Sequence, residues 1–172
     1  YVQEDVAEAL FALLQGAMQE LRIGDPLALS TDVGPVIDEA AAEGLRAHIV
    51  RMEKEARLIA QTPGADHGRF VAPRAFEVDG IGCIGAEVFG PVLHALRFEA
   101  GELEKVCEAI NATGYGLTFG IHSRIPAHID LCLGRIRAGN AYVNRGMTGA
   151  VVGAQPFGGE GLSGTGPKAG GP

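Results

Sequence analysis

Apolar residues recur at helical spacing in the amino-terminal part of the chain. They mark one side of a predicted helix at residues 2–21 and fall at Val2, Val6, Leu10, Leu13, Leu14, Ala17, Met18 and Leu21. A period of 3.6 residues is typical of a helix with one packed face. Glu4 and Asp5 lie where the first turn favours negative charge. A second helix is predicted at residues 38–55, with an inward face of Leu45, Ile49 and Met52 and a solvated face of Arg46, Arg51 and Lys54.

Short strands and helices alternate after the second helix. Strands are predicted at residues 56–61, 92–98, 117–123 and 140–144, and helices at residues 102–112 and 126–136. Residues 70–78 form an extended segment in which Pro73 indicates an edge strand or a bulge. Strand, helix and strand at these lengths predict right-handed crossovers. The expected fold is therefore α/β, with three αβα layers and a mostly parallel sheet.

A glycine-rich segment, residues 155–172, follows the last predicted strand. Ligands of such sheets bind beyond the carboxyl ends of the strands. Residues 159–164, GEGLSG, satisfy the dinucleotide pattern G-x-G-x-x-G, but that motif needs a helix beginning on it and an acidic residue about 20 positions later. Residues 165–172 supply neither, so we interpret the segment as a glycine-rich structural or binding loop.

Glu87 and Phe89 stand two residues apart just before the strand that begins near Val92. In an extended chain both side chains point to the same side, so together they suit a flat polar ligand that carries hydroxyl groups. The alternative is a solvated glutamate beside a core phenylalanine. The local pattern by itself favours that alternative, because such pairs are common where strands begin.

Composition narrows the possible functions. With 47% hydrophobic and 20% charged residues the chain can bury a core, and its net charge of -7 argues against binding nucleic acid. No apolar run approaches the roughly 20 residues that span a bilayer. The cysteines are too dispersed for a disulfide framework or a zinc site, and the single histidines suggest no metal. Buried, unreactive positions are expected for Cys107 and Cys132, and a reducing cytoplasm is the expected compartment.

Four motifs together strongly resemble the carboxyl-terminal part of the aldehyde dehydrogenase superfamily. They are EVFGPV at residues 87–92, NATGYGL at 111–117, GNAYVN at 139–144 and QPFGG at 155–159. The run at residues 148–172 more specifically resembles the L-glutamate γ-semialdehyde (1-pyrroline-5-carboxylate) dehydrogenase domain of bifunctional bacterial proline-utilisation enzymes. The resemblance extends over essentially the whole sequence.

The resemblance implies NAD-dependent oxidation of glutamate semialdehyde to glutamate, the second step of proline catabolism, through a cysteine thioester. It implies that Glu87 holds the nicotinamide ribose hydroxyls and that Phe89 packs beside the nicotinamide. It assigns Phe157 to the wall of the aldehyde tunnel. Gly170 and Gly171 would offer backbone N–H groups to the α-carboxylate of the substrate, a nest that side chains would obstruct.

The resemblance assigns no catalytic residue to this chain. The nucleophilic cysteine and the general-base glutamate are expected upstream of Tyr1, so residues 1–144 would be a partial catalytic domain and residues 145–172 its substrate-anchoring loop. We expect a fragment that is inactive alone, from a homo-oligomeric parent in the bacterial cytoplasm. FAD is expected only where that parent carries a proline dehydrogenase domain.

Two other functions fit the sequence. One is a different aldehyde dehydrogenase of the superfamily. The other is a noncatalytic α/β module that uses its glycine-rich tail for assembly or to bind an anion.

Overall fold

A computed structural model describes residues 1–64, 66–148, 153–167 and 169. The chain divides into two units, Tyr1–Glu99 and Ala100–Pro172. The first unit contains the helices α1 (Glu4–Glu20) and α2 (Glu39–Glu55) and the strands β1 (Val2–Gln3), β2 (Arg57–Gln61), β3 (Arg74–Glu77), β4 (Val92–Ala95) and β5 (Arg97–Phe98). The second contains the helices α3 (Leu103–Ala112) and α4 (Pro126–Arg135) and the strands β6 (Tyr115–Gly116), β7 (Thr118–Ile121), β8 (Asn140–Val143) and β9 (Glu160–Gly161).

Strand β3 lies in the middle of a three-stranded sheet in the first unit. It pairs antiparallel with β2 and parallel with β4. Successive side chains of a strand point to opposite faces, and both faces of β3 are covered. Ala75 packs with Met18 of α1, whereas Phe76 packs with Leu45 and Met52 of α2. The two helices thus lie on opposite sides of the sheet.

The buried face of α1 agrees with the predicted one only in part: Met18 is buried and Leu14 and Leu21 pack against the core, but other predicted positions do not. The helix buries Ala7, Phe11 and Met18 against the sheet, while Leu10 and Leu13 are 45% and 72% exposed. Because this helix carries apolar residues on more than one side, its sequence period does not select the side that packs. The inward face predicted for α2 is confirmed, since Leu45, Ile49 and Met52 are buried, and the side chain of Asp38 caps the helix by accepting from Ala41 N at 2.8 Å.

The interpretation of Pro73 as an edge residue is wrong. Pro73 immediately precedes the central strand β3, and its carbonyl accepts a hydrogen bond from Thr62 N at 2.9 Å. In an antiparallel pair the N–H and C=O of one residue face the same neighbour, so Pro73, which has no N–H, joins β2 through its carbonyl alone. The irregularity lies instead in β2, where the register shifts between Leu58 and Ala60.

A βαβ arrangement forms most of the second unit. Strands β7 and β8 pair in parallel and α4 connects them, while β6 and β9 form a short antiparallel ribbon. Three of the five strand pairings in the described residues are parallel. The α/β fold with a mostly parallel sheet is therefore confirmed. None of the helices in the described part of the chain is long and apolar enough to cross a membrane.

An ionic cluster connects α1 to the sheet of the first unit. The Glu77 carboxylate accepts from Arg57 Nε at 2.6 Å and from Arg97 Nε, and Arg97 also contacts Glu4 and Glu8. Burial raises the pKa of Glu77, but the hydrogen bonds from Arg97 and Arg57 outweigh burial and hold that pKa below its ordinary value. Charged hydrogen bonds of this kind are stronger than neutral ones.

Replacing Glu77 with alanine should lower the local unfolding free energy of β3 and β4 by about 2 kcal/mol, because two guanidinium groups lose their shared acceptor. Hydrogen exchange of the strand amides measures this loss.

Since the pKa of Glu77 is lowered on folding, the stability that its carboxylate contributes is fully present above the ordinary pKa of 4.5 and is lost as the pH falls through the lowered value. The exposed pair Glu39–Arg46 is the control, and Glu39→Ala should cost less than about 1 kcal/mol. Equal losses for the two variants would contradict the prediction.

Candidate functional site

The connection between β3 and β4 presents Glu87 and Phe89 to solvent. Val88, which stands between them, packs against the core cluster that contains Leu45 and Phe76. Phe89 is 78% exposed and Glu87 is also exposed. Phe89 is therefore not a core residue. With the intervening valine directed inward, the carboxylate and the aromatic ring are both accessible to a ligand.

Gly90, the residue after Phe89, brings the backbone of this connection close to α2. Its φ of 147° lies in the region that favours glycine. A Cβ at this position would lie 2.4 Å from Leu45 Cδ1, so the backbone comes closer to α2 than any side chain allows. Val88 and Gly90 together hold the exposed pair against the core.

Two histidines that are far apart in sequence meet beside this connection. Nε2 of His48, on α2, lies 2.9 Å from Nε2 of His94, on β4. Burial lowers the pKa of both rings, and the Arg51 guanidinium lowers them further. His48 is 6% exposed and His94 is half-buried, so the pair is a largely buried hydrogen-bonded contact. No sequence pattern predicts this pair, because the two residues lie far apart in the chain and share no motif.

Phe157 belongs to a backbone ribbon in the second unit. It pairs with Ala169 through two hydrogen bonds, of 2.5 Å from Phe157 N and 3.0 Å from Ala169 N. The Asn140 side chain donates to the carbonyl of Pro156 at 2.9 Å. Phe157 is half-buried. Gly170 and Gly171, the predicted substrate anchors, lie outside the described residues.

The glycines around Phe157 allow backbone segments to touch. A Cβ at Gly139 would lie 1.6 Å from the carbonyl oxygen of Gly158, and one at Gly158 would lie 2.4 Å from the carbonyl oxygen of Gly166. The G-x-G-x-x-G motif forms β9 and a turn. Ser163 of that turn accepts a hydrogen bond through its Oγ from Gly116 N of β6 at 3.1 Å. No helix begins on the motif in the described residues. Its glycines therefore serve close packing and turning.

The cysteines of this chain are poor candidates for a nucleophile. Cys107 and Cys132 are buried, as predicted, with their Sγ atoms 3.8 Å apart. Burial, followed by the contact with Cys107, raises the pKa of Cys132 to about 12, so the thiol stays protonated. Cys83 is exposed. In the described part of the chain, no three histidine, cysteine, aspartate or glutamate residues are grouped to hold a metal.

The sequence matches the model of the aldehyde dehydrogenase family over residues 1–172. The chain belongs to the aldehyde dehydrogenase family. Among curated relatives, it is 51% identical to the bifunctional protein PutA of Klebsiella aerogenes over 99% of its own length. That alignment covers 14% of the Klebsiella protein, so the chain spans about one seventh of this relative.

Solved structures of the family share the fold. A crystal structure of a variant of Bradyrhizobium japonicum proline utilization A superimposes with a TM-score of 0.94 at 56% identity, covering 99% of this chain and 17% of that one. The 1-pyrroline-5-carboxylate dehydrogenase from Thermus with bound NAD gives a TM-score of 0.87 at 33% identity. It covers 98% of this chain and 33% of that one. These likenesses confirm the resemblance predicted from the motifs.

Replacing Gly139 with alanine should disrupt the ribbon that carries Phe157, because the new methyl group would overlap the Gly158 carbonyl. We expect local stability at residues 153–167 to fall by about 1–3 kcal/mol, measured by hydrogen exchange. Gly134 of α4 has no atom within 4 Å of its Cβ position and provides the control. Gly134→Ala should leave exchange in the ribbon unchanged, and an equally silent Gly139→Ala would refute the close-packing role.

Proposed function

We propose that this chain is part of an NAD-dependent dehydrogenase that oxidises L-glutamate γ-semialdehyde to L-glutamate. The match over the whole chain to PutA and to 1-pyrroline-5-carboxylate dehydrogenase carries the proposal. The NAD bound in the similar Thermus enzyme supports the choice of cofactor. FAD belongs to the proposal only if the parent protein also contains a proline dehydrogenase domain.

Glu87 and Phe89 are the residues proposed to hold the cofactor. The fit rests on their exposure, since Val88 takes the inward position and leaves a carboxylate and an aromatic face accessible. A carboxylate accepts hydrogen bonds from ribose hydroxyls, and an aromatic ring stacks on a flat heterocycle. The bound cofactor would supply the hydride acceptor for aldehyde oxidation. This chain contributes the orientation of its ribose end.

Phe157, Gly170 and Gly171 are proposed for the substrate side. Phe157 would limit the width of the aldehyde tunnel, and its backbone pairs with Ala169, the residue before Gly170 in sequence. Consecutive N–H groups without side chains bind anions well. An α-carboxylate distinguishes glutamate semialdehyde from simple aldehydes, so the anchor would select the substrate.

The nucleophilic cysteine and the general base are proposed to lie upstream of Tyr1. We therefore propose residues 1–144 as part of a catalytic domain and residues 145–172 as its substrate-anchoring loop. The parent would act as a homo-oligomer in the bacterial cytoplasm, with no nucleic-acid contact through this segment. If no cysteine precedes Tyr1 in the coding sequence, the noncatalytic module would replace the enzyme proposal.

Glu87→Ala in the full-length protein should raise KM for NAD by about tenfold, because a charged acceptor of ribose hydroxyls is lost. Steady-state kinetics with varied NAD and saturating aldehyde measure the change. Asp79 is exposed in the same connection between β3 and β4, so Asp79→Ala controls for the loss of charge. A Glu87→Ala enzyme with unchanged KM and kcat would contradict the cofactor role.

Enlarging Gly170 or Gly171 to valine should weaken glutamate semialdehyde selectively, since a side chain would obstruct the N–H groups proposed to bind its carboxylate. We expect kcat/KM for this substrate to fall at least about tenfold, with a smaller change for propionaldehyde. Gly146→Ala is the control, because Gly146 has no atom within 4 Å of its Cβ position. An equal loss on both aldehydes would favour a different aldehyde dehydrogenase activity.

A further inference from the structure

Arg51 of α2 makes a set of contacts that the resemblance does not assign. Its Nη1 donates to the carbonyl of Cys83 at 2.7 Å, and its Nη2 donates to the carbonyl of Ile84 at 2.9 Å. The two carbonyls end the short 3₁₀ helix Ile81–Cys83. A planar guanidinium with parallel donors suits two neighbouring acceptors. Arg51 is therefore a two-point clamp on the segment just before Glu87.

The clamped segment has little else to hold it. No atom lies within 4 Å of the Cβ positions of Gly80, Gly82 and Gly85. Close packing therefore does not restrict the backbone at these three glycines. Glycine loses more backbone freedom on ordering than any other residue. Ile81 packs against the core cluster at one end, and Val88 does so at the other. Between these two points, Arg51 donates hydrogen bonds from α2 to the carbonyls of Cys83 and Ile84.

The guanidinium is itself held in place by two side chains, and a third contacts one of them. Glu55 accepts from Nη1 at 2.8 Å, and His48 Nδ1 lies 3.3 Å from Nη2. A guanidinium only donates, so Nδ1 of His48 accepts and its Nε2 carries the hydrogen. That Nε2–H then donates to His94 Nε2 at 2.9 Å. The histidine pair thus links the clamp to β4, the strand that follows Glu87 and Phe89.

A second arginine on the same helix makes a comparable contact elsewhere. Arg46 pairs with Glu39 and donates to the carbonyl of Gly68. Gly68 lies in the connection between β2 and β3, which contains neither proposed cofactor residue. Arg46 therefore anchors a different loop, through one carbonyl rather than two, and serves as the control for the loss of an arginine from α2.

We propose that Arg51 is a positioning residue that sets the affinity for NAD by clamping the glycine-rich segment in front of Glu87. The proposal rests on the proposed cofactor role of Glu87. Arg51 does not touch the ligand in this account. It lowers the entropy cost of ordering the segment, so its loss weakens cofactor binding more than it slows the chemical step.

The test compares single variants of the full-length protein by steady-state kinetics and hydrogen exchange. Arg51→Ala should raise KM for NAD about tenfold, with kcat and the aldehyde KM within about twofold of wild type. Arg46→Ala should leave all three constants within about twofold. Arg51→Lys should lie between wild type and Arg51→Ala, because an ammonium group keeps the charge but loses the two-point fork.

A rescue variant separates positioning from general damage. Gly82 is helical and has open space at its Cβ position, so alanine fits there and stiffens the segment. Adding Gly82→Ala to Arg51→Ala should restore NAD affinity about two- to fivefold and reduce deuterium uptake in residues 80–89. Gly134→Ala, outside the segment, should restore nothing.

The outcomes are distinct from those that test the cofactor role itself. If Glu87→Ala weakens NAD binding while Arg51→Ala behaves like Arg46→Ala, the clamp proposal fails alone. If Glu87→Ala has no effect, the cofactor role fails, whatever Arg51 does. If Arg51→Ala raises exchange in residues 80–89 without changing KM for NAD, the clamp exists but does not serve the cofactor, which overturns the proposal.

Discussion

Burial of both faces of β3 is the constraint on which the first unit depends. Ala75 faces α1 and Phe76 faces α2, and a slip of one residue would put the large side chain on the α1 face and a small one on the α2 face. Such a slip would both overpack the α1 side and leave a cavity on the α2 side. The register of β3 is therefore well determined. That register fixes where the connection that carries Glu87 leaves β3 and enters β4.

The two loops proposed for ligand binding are held by different means. In the second unit, glycines let backbone atoms touch, and the segment around Phe157 is tied by hydrogen bonds between main-chain groups and from Asn140. In the first unit, the segment before Glu87 depends on side chains, chiefly Arg51 and the buried Val88. Main-chain packing tolerates no substitution at the contact, whereas a side-chain anchor tolerates graded replacement. The two loops should therefore respond differently to sequence change.

The sequence pattern predicted the buried face of a helix well where its apolar residues lie on one side. The inward face of α2 followed from helical spacing at Leu45, Ile49 and Met52. The face of α1 followed only in part, because its apolar residues surround more of the helix and tertiary packing chooses among them. Phe89 illustrates the same limit for the site. A local pattern favours a buried phenylalanine, yet the neighbouring valine takes the core position and leaves Phe89 exposed.

Glycine content shows most clearly what sequence alone leaves undetermined. Gly82 and Gly139 are the same residue, but the Cβ position of the first is open and that of the second overlaps a carbonyl oxygen. Gly82 leaves its backbone conformation unrestricted by neighbours, whereas Gly139 allows its backbone to touch the Gly158 carbonyl. A segment of the first kind needs an external anchor to be ordered, because each flexible residue adds to the entropy lost on binding. A segment of the second kind is already ordered by its neighbours. The anchor at Arg51 and the close packing at Gly139 are thus two ways to hold a loop in place without a side chain that would obstruct the ligand proposed for it.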